Sequence, residues 1–122
     1  MEMTPKTLTF IARSTPYGSG RAKALLDMVL SAAVFDQNIN LLFMDDGVWQ
    51  LARDQQPGMI DTKDLSAALG ALPLYEVNNV YVEARALHER GLTLDTLAVT
   101  AIPCDDAHIT ALIAQSDQVF AL

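Results

Sequence analysis

The chain has 122 residues, 51% of them hydrophobic, and its 15 acidic and 8 basic residues give a formal net charge of −7. This length suits one core, so we expect a single domain over residues 1–122. A nucleic-acid-binding surface needs clustered cations that displace counterions from phosphates, and the basic residues here are scattered. The composition therefore argues against direct binding of RNA or DNA.

The sequence also bears on compartment. No apolar run approaches the roughly 20 residues that cross a bilayer, and the N-terminal residues MEMTPKTLTF lack the apolar core and cleavage site of a signal peptide. The lone cysteine, Cys104, cannot form an internal disulfide, which agrees with a reducing compartment. We therefore expect a cytoplasmic protein without a membrane segment.

The first third of the chain reads as strand, loop, helix and strand. Residues Thr7–Ala12 are β-branched and apolar, and residues 14–20 (STPYGSG) have turn composition. Apolar residues then recur with helical spacing up to Phe35, with Ser19 as the expected N-cap. The nearly continuous apolar run 39–44 predicts a strand buried on both faces.

Strand and helix patterns alternate through the rest of the chain. Residues 48–51 (VWQL) suit a short helix or an extended segment equally, and residues 53–58 have loop composition. The alternation predicts a single-domain, flavodoxin-like three-layer α/β sandwich with a mainly parallel five-stranded sheet and a flavodoxin-like strand order. The remaining helices are expected at residues 62–69, 84–90 (ended by Gly91) and 105–114, and the remaining strands at 77–82, 97–102 and 118–122.

Candidate functional residues follow the strands. In parallel sheets ligands bind beyond the carboxyl ends of the strands, which brings residues 14–20, 45–49, Glu83 and 103–106 to one edge. The loop 14–20 could cradle a phosphate before a helix, but it has neither the Lys-Ser/Thr of a Walker loop nor a dinucleotide fingerprint. We favour a structural turn and expect no cofactor; a flavin- or nucleotide-binding module is the alternative.

Cys104 precedes a predicted helix, whose N-terminal amides favour a thiolate. The adjacent Asp105 and Asp106 oppose a second anion, so a structural cysteine is favoured over a reactive one. Cys104 and His108 have the spacing of a metal half-site, but no second pair accompanies them and we expect no metal.

The acidic residues at the same edge, Asp45, Asp46 and Glu83, have no partnered nucleophile or base in the pattern, so no catalytic residue is assigned.

Four apolar or aromatic residues are candidates for a subunit interface. Tyr17 stands at the tip of the loop 14–20, where its contact area and polar end suit a protein interface. Val48, Trp49 and Leu51 form an apolar cluster just past a strand end, for which ordinary core packing is the alternative.

The chain resembles the TusC, or DsrF-like, subunits of the DsrE/F/H sulfur-relay family over nearly its whole length. The resemblance rests on four segments: STPYGSGRAKALLDMVLSAAVFDQ, LLFMDDGVWQL, LPLYEVNNVYVEARALHERGL and DQVFAL. The DGV-x-QL segment and the PYGS-x-R loop are more diagnostic than the fold, which many unrelated proteins share.

The resemblance implies a non-catalytic structural subunit of a TusBCD-like heterohexamer that relays persulfide sulfur for 2-thiolation of the wobble uridine in tRNA. It implies TusB-like and TusD-like partners, with indirect links to a small sulfur carrier and a downstream tRNA thiolation enzyme. In that family the sulfur-accepting cysteine belongs to the TusD/DsrE-type partner, at the end of the third strand. Glu83 stands nearest that point here, and Cys104 lies one strand later. The alternatives are a DsrF-type subunit in dissimilatory sulfur oxidation and an independent Cys104-dependent sulfurtransferase.

Overall fold

A computed structural model describes residues 5–15, 20–35, 37–52 and 62–122; for residues 62–66 it describes the backbone alone. Tyr17, the predicted cap Ser19 and the predicted loop 53–58 lie outside these ranges. The strands are β1 (Thr7–Ala12), β2 (Asn38–Phe43), β3 (Asn79–Glu83), β4 (Ile102–Cys104) and β5 (Gln118–Ala121). The α-helices are α1 (Arg21–Ala33), α2 (Thr62–Ala71), α3 (Ala84–Glu89) and α4 (Asp106–Ala114). A 3-10 helix, Asp45–Leu51, follows β2 and is called helix 45–51 below.

The five strands form one sheet in the order β4-β3-β2-β1-β5, and each neighbouring pair is parallel. The predicted α/β class and parallel sheet are confirmed, but the predicted strand order is wrong, because the flavodoxin order is 2-1-3-4-5. From β1 to β4, each strand lies next to the preceding one and on the same side of it in the sheet. Right-handed crossovers between these strands place the connecting helices on one face of the sheet. The return from β4 to β5 reverses direction and places α4 on the other face.

Two cores result from this arrangement. The larger core joins one face of the sheet to α1, α2 and α3, and the smaller core packs α4 on the other face. The central strand β2 contributes to both, with Leu41 and Phe43 in the larger core and Leu42 in the smaller, as its continuous apolar run predicts.

Two local predictions are wrong. Helix α1 begins after Gly20, which occupies the N-cap position without a side-chain cap, in place of Ser19. The fourth strand is Ile102–Cys104 and not residues 97–102, because Leu97 is buried in the larger core and forms an antiparallel bridge with Ala52.

Gly47 fixes the position of helix 45–51. A Cβ at Gly47 would lie 1.9 Å from the carbonyl oxygen of Ala12, at the end of β1. The amide of Met44 donates to that same oxygen at 3.0 Å, and the amide of Gly47 donates to the Met44 carbonyl at 2.8 Å. The close approach of two backbones therefore requires a residue without a side chain.

We predict that Gly47→Ala lowers the free energy of unfolding by about 3 kcal/mol, because a rigid backbone must move to admit the methyl group. Gly70→Ala is the matched control, since a Cβ at this helical position meets nothing within 4 Å. The control should stabilise the protein by about 0.5 kcal/mol. Urea denaturation measures both, and equal stabilities of the two variants would contradict the steric argument.

Candidate functional site

The loops at the carboxyl ends of β1, β2 and β3 are joined by side-chain contacts. The guanidinium of Arg13 pairs with the Asp45 carboxylate at 2.9 Å, and the amide of Asp45 donates to Glu83 Oε1 at 3.1 Å. The side-chain amide of Gln50 donates to the Ser14 carbonyl at 2.8 Å. The structure thus brings together, at one edge, residues that the sequence places there.

Glu83 is the buried acidic group of this edge. It is the last residue of β3 and the N-cap residue of α3, and it is only 7% exposed. Its side chain does not cap its own helix; the carboxylate instead accepts the amide of Asp45. The residue that the resemblance places nearest the partner's cysteine position therefore has a structural role in this chain.

Three ion pairs surround Glu83. Besides the Arg13 pair, Arg90 donates to Asp46 at 2.9 Å, and Arg85 pairs with Asp106 across the ends of β3 and β4. The hydrogen bond and the charge of Asp106 raise the pKa of Arg85 further, so this guanidinium stays charged. The acidic edge is therefore partly neutralised by arginines of the same chain.

The residues proposed as an interface separate into two environments. Val48 and Leu51 are fully buried in the larger core, so the expectation that they present an exposed apolar surface is wrong for both. A 3-10 helix has three residues per turn, which puts positions 48 and 51 on one face, here the core face. Trp49 lies off that face and is partly exposed.

Cys104 is a core residue. It is 1% exposed in the smaller core, packed among Ile11, Leu42 and Ile109, and its thiol faces the Ile102 carbonyl at 3.6 Å. Burial raises the pKa of the Cys104 thiol, and the charge of Asp105 raises it further. This environment favours a neutral, inert thiol.

His108, which the sequence pairs with Cys104 as a metal half-site, packs against an aromatic ring. The exposed His108 ring packs edge-on against Tyr81, with the ring centroids 5.6 Å apart. Within the described part of the chain, no group of three or more His, Cys, Asp or Glu residues is placed to hold a metal ion.

A second accessible apolar surface lies at the opposite end of the sheet and was not found from sequence. Its members are Val34, Phe35, Leu74 and Tyr75, which are 61%, 71%, 83% and 44% exposed. Tyr75 lines a surface hollow at this end of the sheet together with Ala33, at the end of α1. We call these four residues the lower apolar patch. Its only sequence signal is a set of apolar residues just past two helix ends.

Among the described residues, no helix is long and apolar enough to cross a membrane.

The comparisons with known proteins fit this geometry. The DsrE/DsrF-like family model matches residues 6–122, and the chain belongs to that family. A protein TusC homolog from Pseudomonas aeruginosa is 40% identical over 117 residues, which cover 96% of this chain and 98% of the relative. The intracellular sulfur oxidation protein DsrF from Allochromatium vinosum is 36% identical over an alignment of 135 positions, which covers 99% of each chain. The predicted resemblance to TusC or DsrF-like subunits is confirmed.

The fold has a solved counterpart. The crystal structure of the YchN protein from E. coli superposes with a TM-score of 0.82 and covers 96% of this chain and 99% of that chain. The two sequences are 19% identical, so this likeness shows the fold alone.

The burial of Cys104 predicts slow reaction of its thiol with an external reagent. A thiol-specific disulfide reagent should react with the native chain at least about a hundredfold more slowly than with the urea-unfolded chain, because local opening must precede reaction. The single cysteine makes the readout unambiguous. Equal rates in the two states would contradict a core position for this thiol.

The raised pKa of Cys104 also predicts a pH dependence of stability. The neutral thiol is favoured in the folded state, so its contribution is fully present below the unfolded pKa of about 8.5. That contribution is lost as the pH rises through the higher folded pKa. From about pH 8.5 up to the folded pKa, urea denaturation should show a steeper loss of stability for the natural chain than for Cys104→Ala, and parallel curves would contradict this.

Proposed function

We propose that this chain is a non-catalytic structural subunit of a TusBCD-like sulfur-relay complex that supports 2-thiolation of the wobble uridine in tRNA. The observation that carries the non-catalytic role is the burial of its one thiol, Cys104, in the smaller core. A persulfide carrier needs an accessible thiolate, and this chain offers a buried thiol with a raised pKa. The similarity to a TusC homolog over nearly the full length of both chains supports the choice of complex.

Glu83 supports the same conclusion. The end of the third strand, where the family resemblance places the partner's cysteine, here carries a carboxylate bonded to a backbone amide. A carboxylate cannot accept a persulfide sulfur, so we infer that the sulfur chemistry belongs to a TusD-like chain. This chain would contribute association surface within a cytoplasmic heterohexamer.

Two accessible surfaces suit contact with two different partners. Trp49 is partly exposed beside the carboxyl ends of the strands, and the lower apolar patch lies at the other end of the sheet. Apolar patches of this kind on a protein surface commonly mark interaction sites. We infer that one end meets a TusB-like chain and the other a TusD-like chain.

A DsrF-type role in sulfur oxidation is the second candidate. It is favoured by the 36% identity with DsrF of Allochromatium vinosum, which extends over 99% of each chain. Deletion of the gene distinguishes the two: loss of 2-thiouridine from tRNA supports the first proposal, and loss of sulfur oxidation with intact tRNA thiolation supports the second.

Co-expression with TusB-like and TusD-like chains from the same source tests the proposal directly. We expect the three chains to elute together in size-exclusion chromatography, at a mass above that of any single chain. The chain expressed alone is the control. A chain that stays separate from both partners would contradict the proposed function.

Truncation of either surface should weaken assembly. We expect Trp49→Ala and Phe35→Ser each to weaken binding of one partner by about tenfold, since large aromatic side chains dominate interface energies. Tyr17→Ala tests the loop 14–20 in the same assay. Leu94→Ala is the control, because it truncates another exposed apolar side chain, which is 46% accessible. Unchanged binding for Trp49→Ala and Phe35→Ser would remove both surfaces from the proposal.

A further inference from the structure

Helix α3 contacts helix 45–51 from both of its own ends. At its N-cap, the carboxylate of Glu83 accepts the amide of Asp45 at 3.1 Å. At its C-cap, the guanidinium of Arg90 donates to the Asp46 carboxylate at 2.9 and 3.3 Å. The six residues of α3 span about 9 Å along the helix axis between these caps. Asp45 and Asp46 are therefore held by groups at opposite ends of α3.

Helix 45–51 needs an external cap. Its N-cap residue is Met44, whose side chain has no oxygen to accept the first amides of the helix, and no side-chain cap is present. Asp45 also has a positive φ of 49°, a region that non-glycine residues seldom occupy. The carboxylate of Glu83 therefore supplies, from a neighbouring strand, the acceptor that the local sequence lacks.

The Glu83 contact is better shielded from solvent than the ion pairs of this edge. Glu83 is 7% exposed, whereas the Arg13 and Arg85 side chains are each 59% exposed. The Arg90 side chain is 20% exposed, and its partner Asp46 is 55% exposed. Shielding from water and salt strengthens a charged contact relative to a surface pair. The Arg90 side chain is fixed further by a bond from its other terminal nitrogen to the Ala86 carbonyl at 3.2 Å.

We infer that Glu83 and Arg90 are positioning residues that hold helix 45–51, and with it the Trp49 side chain, in the orientation presented to a partner subunit. Glu83 acts through the Asp45 amide and Arg90 through the Asp46 carboxylate, so neither needs to touch the partner. The inference rests on the proposed function only in that a partner meets this edge. The positioning itself is a property of the isolated chain.

The isolated chain tests the positioning. Trp49 is the only tryptophan, so its emission and its quenching by acrylamide report on helix 45–51 alone. In Glu83→Ala we expect the Asp45 amide to exchange with solvent at least about tenfold faster, because its acceptor is lost. The emission and quenching of Trp49 should also change.

Two further variants separate positioning from a general loss of stability. Glu83→Gln keeps an oxygen acceptor and should restore slow exchange of the Asp45 amide and the natural Trp49 emission. Asp27→Ala removes an exposed carboxylate of α1 together with its pair to Lys23, and should change neither. The inference would be overturned if Glu83→Ala kept the amide exchange and Trp49 emission of the natural chain. It would also be overturned if Glu83→Gln exchanged its Asp45 amide as fast as Glu83→Ala does.

The Arg90 contact provides a second arm if Glu83→Ala fails to fold. Arg90→Ala and Asp46→Ala should each change Trp49 quenching, and the double variant should show no larger change than either one, because both remove the same contact. Strictly additive changes would overturn the role of Arg90. In the assembled complex, Glu83→Ala should weaken partner binding by about tenfold and Glu83→Gln should not.

Failure of the inference and failure of the proposed function are distinguishable. If the natural chain binds no partner, the proposed function is lost, while amide exchange and quenching still decide the positioning. If the natural chain binds and Glu83→Ala binds equally well, the link from positioning to association is overturned.

Discussion

The contact between Gly47 and the Ala12 carbonyl is the constraint on which the functional edge of this protein depends. A Cβ would lie 1.9 Å from that oxygen, so the turn after β2 can rest against the end of β1 only with glycine at this position. With the turn in this position, Asp45 pairs with Arg13 and its amide donates to Glu83. The side-chain amide of Gln50 donates to the Ser14 carbonyl. One backbone contact thereby determines where several side chains of the edge lie.

The same edge explains how a member of a sulfur-relay family serves without a reactive thiol. Glu83 and the buried Cys104 are register partners on the adjacent strands β3 and β4. The carboxylate binds a backbone amide, and the thiol is packed beneath α4 with a raised pKa. The carboxylate and the thiol thus serve turn formation and packing. In the proposed complex, Trp49 and the lower apolar patch are the surfaces assigned to partners.

Local patterns predicted much of this fold, because they depend on neighbours along the chain. The apolar run of β2 indicated a strand buried on both faces, and Gly91, with its φ of 67°, ends the helix that the pattern predicts there. Long-range choices were not predictable in the same way. The edge that β5 joins, the bridge between Ala52 and Leu97 that displaces β4, and the inward face of Val48 and Leu51 depend on contacts between distant segments.

The proposed role of this chain is to take part in sulfur relay without carrying sulfur. Its most direct test is intact-mass and peptide mass spectrometry of the assembled three-chain complex after loading with a persulfide donor. We expect one added sulfur on a cysteine of a partner chain and none on Cys104, the one cysteine of this chain. A persulfide found on Cys104 in the folded complex would contradict it.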